Sequence, residues 1–306
     1  MDVVKRIQKA RPRLEVSGTH MYHVAAVAVP KPWGLNRVDQ PDLPLDHTSF
    51  KTSYTGKNVT VYILDTGIWE SHGDYGSRVR PGVSFVKGED YVMDRNGHGT
   101  HCAGTAVGTR YGVAKDAQVV GIKILSAEGY GNTVDIIKGI EWAVNDARSR
   151  NTPGVLSLSL GGSADPVLDA GVDAAADAGM LVAVAAGNDN GDACKKSPAR
   201  AAQVITVGAT NIADHRSYFS NWGTCVNVFA PGTNIISSWI GAEGAVNMIS
   251  GTSMATPLVA GVLATLLEKH DGDAEAAKMD MFTLVARDKL TDVKASSPNW
   301  LVQTAR

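Results

Sequence analysis

The chain has 306 residues, enough to bury a sizeable core in one large α/β domain or in two smaller ones. Its 29 Lys and Arg against 31 Asp and Glu give a formal net charge of −2, which supplies no bulk attraction to nucleic acid or to an anionic membrane. Apolar runs such as Met180–Ala186 and Leu258–Leu267 are far shorter than the roughly 20 residues a membrane-spanning helix needs.

In chain order, Met1-Asp2-Val3-Val4-Lys5-Arg6 is charged and lacks the apolar core of a secretory signal. Val59–Leu64 is a β-branched run, predicted as a strand that delivers Asp65 at its end. Asn96-Gly97-His98-Gly99-Thr100-His101-Cys102-Ala103-Gly104 reads as a helix start whose small residues permit close packing. Val119–Ile124 is a second strand. Asn132 is a fitting N-cap for a helix reaching Arg150, with Val134, Ile137, Ile140 and Val144 at helical spacing. Gly154–Leu160 reads as a strand, and Asp165-Pro166 opens an alanine-rich helix that Gly179 closes. Met180–Ala186 and Gln203–Val207 are buried strands, and Ser253–His270 is a long apolar helix. Asp271–Arg306 is expected to pack as a last helix and a tail.

Strands alternating with helices imply an α/β fold, a three-layer doubly wound arrangement with a mostly parallel sheet and helices on both faces. Ligands in such folds bind beyond the carboxyl ends of the strands. Asp65 and Asn188 both fall at strand ends.

The chemistry-bearing residues lie in three motifs. Asp65 sits in Ile63-Leu64-Asp65-Thr66-Gly67, His98 in the glycine-rich helix start, and Ser253 in Gly251-Thr252-Ser253-Met254-Ala255-Thr256-Pro257. A serine hydroxyl attacks a carbonyl at neutral pH only when a base takes its proton. Histidine suits that task, and a carboxylate must fix its tautomer. Ser253 at a helix start also meets free N–H groups and partial positive charge, which favour a developing anion. Two rival readings fail. An aspartic protease needs a second Asp-Thr-Gly or Asp-Ser-Gly, which is missing, and His98 with His101 finds no third zinc ligand.

Taken together and in this order, the motifs resemble those of the subtilisin-like serine proteases, within them the proteinase K branch. The likeness runs from Pro32-Trp33-Gly34-Leu35 to Ser297-Pro298-Asn299-Trp300. It implies a serine endopeptidase in which Asp65, His98 and Ser253 form the triad and Asn188 donates to the oxyanion. It implies peptide binding along Gly129, Tyr130 and Gly131 and along Ser159, Leu160, Gly161 and Gly162. A pocket lined further by Ala185, Ala186 and Gly187 would then favour aromatic or aliphatic side chains before the cleaved bond. Cys194 and Cys225 resemble a disulfide pair of the branch, with Cys102 left over.

The same resemblance implies a secreted, monomeric enzyme acting on proteins and peptides, made as a zymogen with a propeptide as partner. No cofactor is required for the chemistry, and calcium enters only as a structural ion. Residues 1–28 are expected as an N-terminal extension keeping a propeptide tail, and 29–306 as the peptidase domain. The strongest calcium site of the family maps to Asn227 with the carbonyls of Ala202 and Val204. An amide in place of a carboxylate weakens that site for a hard cation. Leu258 stands where the family usually has histidine, a packing change in a helix.

Overall fold

The computed structural model describes residues 32–306 apart from 47, 49, 90 and 295, together with residue 9. Apart from residue 9, the expected extension over 1–28 lies outside the described residues. Pro32–Arg306 forms one unit.

The chain enters through α1 (Trp33–Val38) and β1 (Thr60–Asp65), then β2 (Val79–Ser84) and α2 (His98–Val107). Next come β3 (Gln118–Lys123), α3 (Thr133–Arg150), β4 (Gly154–Leu158), the short β5 (Gly162–Ser163) and α4 (Pro166–Asp177). β6 (Leu181–Ala185), β7 (Lys196–Ser197), β8 (Ile205–Thr210) and β9 (Val228–Pro231) follow. A hairpin of β10 (Ile235–Ser238) and β11 (Val246–Ile249) leads into α5 (Thr252–Lys269). The chain closes with α6 (Ala274–Leu284), β12 (Ala286–Arg287) and β13 (Trp300–Leu301).

Among the described residues, nine strands form one sheet in the order β12-β13-β9-β8-β6-β4-β1-β3-β2, parallel except for β12 against β13. The period-two alternation of each strand sorts its side chains into two cores. Val61 and Ile63 of β1 pack with Ala103 and Ala106 of α2 and with the buried length of α5. Tyr62 and Leu64 pack on the opposite face with Ile136 and Ile140 of α3 and Leu168 of α4. The expected three layers follow from that split.

The caps behave as their residue types require. Asn132 accepts from Asp135 N, and Asp165 accepts from Val167 N and Leu168 N with Pro166 at the first helical position. The buried stripe of α3 differs from the expected one: it runs through Ile136, Ile140, Ala143 and Ala147, while Val134 is 61% exposed. Gly139 lies on this stripe, and a Cβ there would stand 2.7 Å from Ile124. The close approach to the sheet therefore selects the small-residue face over the one with more β-branched residues.

Two further differences concern weak local signals. β2 contains Pro81 and Gly82 and shifts register between Arg80 and Val83, which an edge strand tolerates. After the expected last helix, the tail adds two-residue strands to the sheet, with Leu301 beside Phe229 of β9. Tertiary pairing creates those strands, since two residues carry no periodicity.

Candidate active site

The parallel sheet brings the ends of β1, β4 and β6 to one edge, where the N-termini of α2 and α5 meet them. Asp65 is the last residue of β1 and fully buried. His98 is the first residue of α2, its side chain 26% exposed. The His98 Nδ1 lies 2.8 Å from Asp65 Oδ1 and 2.9 Å from Oδ2. A carboxylate can only accept, so Nδ1 carries the proton and Nε2 is left as the basic nitrogen. Burial pulls the His98 pKa down, but the Asp65 carboxylate outweighs it and holds the ring well above the ordinary imidazole value. Cys102 acts in the same upward direction only as a thiolate, and burial raises its own pKa, so Asp65 carries the effect at neutral pH.

A second buried carboxylate, Asp94, joins the Asp65 and His98 elements. Its Oδ1 accepts from Thr66 Oγ1, Asn96 N and Gly97 N, and its Oδ2 from Thr100 N and Thr100 Oγ1, all at 2.7–2.9 Å. Thr66 Oγ1 then accepts from Gly99 N at 3.0 Å. From the other side, the buried Lys123 ammonium donates to Thr66 O at 2.8 Å and pairs with Glu89 at 3.0 Å. Gly97 turns into α2 with φ 106°, and a Cβ there would strike the Trp239 ring at 2.4 Å. None of Asp94, Thr66 or Lys123 was singled out in the sequence. The signal for Asp94 was there: an acid just before a helix start satisfies the helix's free N–H groups.

Ser253 is the second residue of α5. Pro257 lies four residues on and has no N–H, so the Ser253 carbonyl receives no helical bond. Ser159 Oγ and Cys102 Sγ donate to it instead, at 2.8 and 3.4 Å. Ser253 Oγ in turn donates to the Ser159 carbonyl at 3.2 Å rather than to the His98 ring. Such catalytic bonds are commonly long or unmade before substrate binds.

Asn188 follows the end of β6 and is exposed. Its Oδ1 accepts from Thr252 N and Thr252 Oγ1, both at 2.9 Å. A backbone N–H can only donate, which fixes the amide orientation and turns Nδ2 outward. A Cβ built on Gly251 would lie 3.5 Å from Ser253 N and 3.7 Å from Asn188 Nδ2. Two donors thus flank one small space that glycine leaves clear.

A cleft of about 580 Å³ opens beside these groups, lined by His98, Gly129, Tyr130, Gly131, Ser159, Leu160, Gly161 and Gly162. Tyr130 is 78% exposed at its rim. Ala185 and Ala186 are buried and Gly187 half-buried, and none of the three lines this cleft. A larger cavity, about 850 Å³ around Trp69, Arg80, Tyr91 and Met93, holds none of the reactive groups.

Cys194 and Cys225 form a disulfide that closes 31 residues of chain, a loop worth about 3–4 kcal/mol in the chain-entropy picture. Cys102 is free and buried, its Sγ 3.9 Å from His98 Nδ1. The calcium candidates do not fit the ion. Asn227 brings no carboxylate, and its Oδ1 already accepts from Thr206 N at 2.7 Å. Leu258 is buried in the core, as expected of a packing residue.

Residues 56–297 match the model of the Subtilase family. A subtilisin-like serine protease of Penicillium citrinum, Pen c 2, is 40% identical over 98% of this chain and 71% of its own length. A subtilisin-like protease of Coccidioides posadasii is 45% identical over 88% of this chain, which spans 59% of that relative. The crystal structure of a cold adapted subtilisin-like serine proteinase superposes with a TM-score of 0.84 at 42% identity, covering 90% of this chain and 98% of the other.

Proposed function

The chain belongs to the subtilase family of serine endopeptidases, and from that premise we propose that it hydrolyses peptide bonds through an acyl-enzyme on Ser253. Ser253 Oγ leaves the Ser159 carbonyl, gives its proton to His98 Nε2 and attacks the substrate carbonyl carbon. The oxyanion takes hydrogen bonds from Ser253 N and Asn188 Nδ2 as the tetrahedral intermediate forms. His98 then protonates the departing amine, and water repeats the sequence to release the acid. Asp65 keeps the ring in the right tautomer and stabilises its charged form.

The observation that carries this reading is the contact of both Asp65 oxygens with His98 Nδ1, beside two open donors that face one space. An extended peptide pairs with Gly129–Gly131 and Ser159–Gly162 as an added strand, because glycine there lets the backbones come close. The uncharged stretch of its wall, Leu160, Gly161 and Gly162, favours aromatic and aliphatic side chains before the cleaved bond. A bonded Cys194–Cys225 supports an oxidising, extracellular setting. A propeptide would be the natural partner before maturation. Among the described residues, no helix is long and apolar enough to cross a membrane.

The test is turnover of a peptide anilide with phenylalanine before the bond, in the parent and in Ser253→Ala. Turnover in the parent and a loss of about 10⁶ in the variant is expected, the magnitude known for subtilisin's own serine. A folded parent that neither turns over the anilide nor reacts with a fluorophosphonate overturns the reading.

A further inference from the structure

The loop that carries Asn188 is built on one buried side chain from a distant part of the chain. Asn221 is fully buried. Its Nδ2 donates to Ala186 O at 2.8 Å, and its Oδ1 accepts from Asp189 N at 3.1 Å and Gly191 N at 2.9 Å. Its own backbone N donates to Gly187 O at 2.9 Å. Peptide groups before and after Asn188 are thus tied to a single residue.

The neighbours of Asn221 keep it in register with that loop. Asn190 N donates to Phe219 O at 2.8 Å, and Trp222 N donates to Gly191 O at 3.0 Å. Trp222 Nε1 donates to Asn190 O at 3.0 Å. Ser220 Oγ donates to the Asn221 carbonyl at 3.0 Å and accepts from Ala209 N of β8 at 2.9 Å, which anchors Asn221 to the sheet. Gly187 turns with φ 104°, and a Cβ there would stand 2.4 Å from Asn221 Nδ2. That close approach requires glycine just before Asn188.

Asparagine is the side chain these bonds call for. Its amide holds an acceptor and a donor at fixed separation, whereas ionised aspartate lacks the donor and leucine lacks both. Two backbone N–H groups on one side and a carbonyl on the other fix which end of the amide is oxygen. Asn221 does not line the cleft. It holds the loop's backbone and leaves the Asn188 Nδ2 unspent.

Resting on the endopeptidase reading above, we propose that Asn221 is a positioning residue for the oxyanion donor. It sets the backbone from which Asn188 presents Nδ2 to the developing charge. Such a donor stabilises the transition state only when it is already aimed, so a loosened loop lowers kcat and leaves ground-state binding in place.

The experiment is a double-mutant cycle of Asn221→Ala and Asn188→Ala, with kcat and KM on the phenylalanine anilide. Asn221→Ala alone is expected to lower kcat by about 10–100-fold with KM nearly unchanged, the scale of a small misplacement of a reacting group. In the Asn188→Ala background the same change should cost less than about twofold, because the donor it aims is gone. A residue that only supports the fold would show the same loss in both backgrounds. If Asn221→Ala does not fold, Asn221→Asp keeps the shape and both acceptances, loses the donation to Ala186 O, and should show the same masking. An equal loss in both backgrounds, or a parental kcat in the folded variant, overturns the inference while the parent's turnover leaves the endopeptidase reading standing. A parental kcat in Asn188→Ala overturns the oxyanion role of Asn188 and this inference with it.

Discussion

The two halves of the site are held very differently. On the Asp65–His98 side, a buried carboxylate accepts five hydrogen bonds and a buried lysine grips the neighbouring carbonyl. On the Ser253–Asn188 side, the hydroxyl of the proposed nucleophile rests on one carbonyl at 3.2 Å and the Asn188 amide is exposed with Nδ2 open. In the proposed mechanism the base is thus fixed before substrate arrives, while the nucleophile and the donors keep free valences for it. That division suits catalysis, because donors already spent on the protein could not stabilise the transition state.

The rigid half is broken most severely at the acid itself. Asp65→Asn is expected to lower kcat by about 10⁴, since an amide no longer enforces the reactive tautomer. Its pH profile carries the sharper signature. Only neutral His98 can act as base, and Asp65 holds the ring pKa well above the ordinary value. The parent should therefore lose kcat/KM as pH falls through a midpoint above about 6.5. In Asp65→Asn that midpoint should move to lower pH. Stability runs the other way. A raised folded-state pKa adds stability that is fully present below about pH 6.5 and lost as pH rises through the raised value. Thermal melts across pH should show the parent's advantage over Asp65→Asn shrinking on the alkaline side.

The open half is tested next. Asn188→Ala should cost about 10²–10³ in kcat with little change in KM, the magnitude known for the oxyanion asparagine of subtilisin. An equal rise in KM would mean that Asn188 binds the ground state instead.

Asp94→Asn probes whether the rigidity is thermodynamic. One amide oxygen cannot accept on both sides, so an NH₂ must face donors that Asp94 now satisfies. A loss of about 2–3 kcal/mol is expected, read as a lowered Tm. An unchanged Tm would show that the network is replaceable by water.

Ser159→Ala is the mildest change. It removes the donor to the Ser253 carbonyl that Pro257 leaves without a helical partner. One hydrogen bond of about 1 kcal/mol predicts a drop in kcat/KM of up to tenfold. A loss as large as that of Asn188→Ala would mean that this side is rigid too, and would erase the contrast between the halves.

Much of this was readable in the chain. Alternating strand and helix patterns led to the doubly wound parallel sheet, and Asn132, Asp165 and Pro166 marked helix starts that the structure keeps. The motifs around Asp65, His98 and Ser253 pointed to one chemistry, because nucleophile, base and carboxylate are scarce types in long, ordered contexts. The Cys194–Cys225 bond was legible through family likeness, and the packing role of Leu258 from its apolar character in a helix, where it departs from the family.

What tertiary structure decided is of a different kind. Which stripe of α3 is buried depended on where Gly139 could approach Ile124. The strands Trp300–Leu301 and Ala286–Arg287 exist because a sheet edge was there to pair with. Asp94 became the hub of the site through contacts between residues distant in the chain. Local sequence fixes what a residue can do, since propensity and chemistry act over a few neighbours. Hydrogen-bond networks and charge pairs act across space, so only the folded chain chooses their partners.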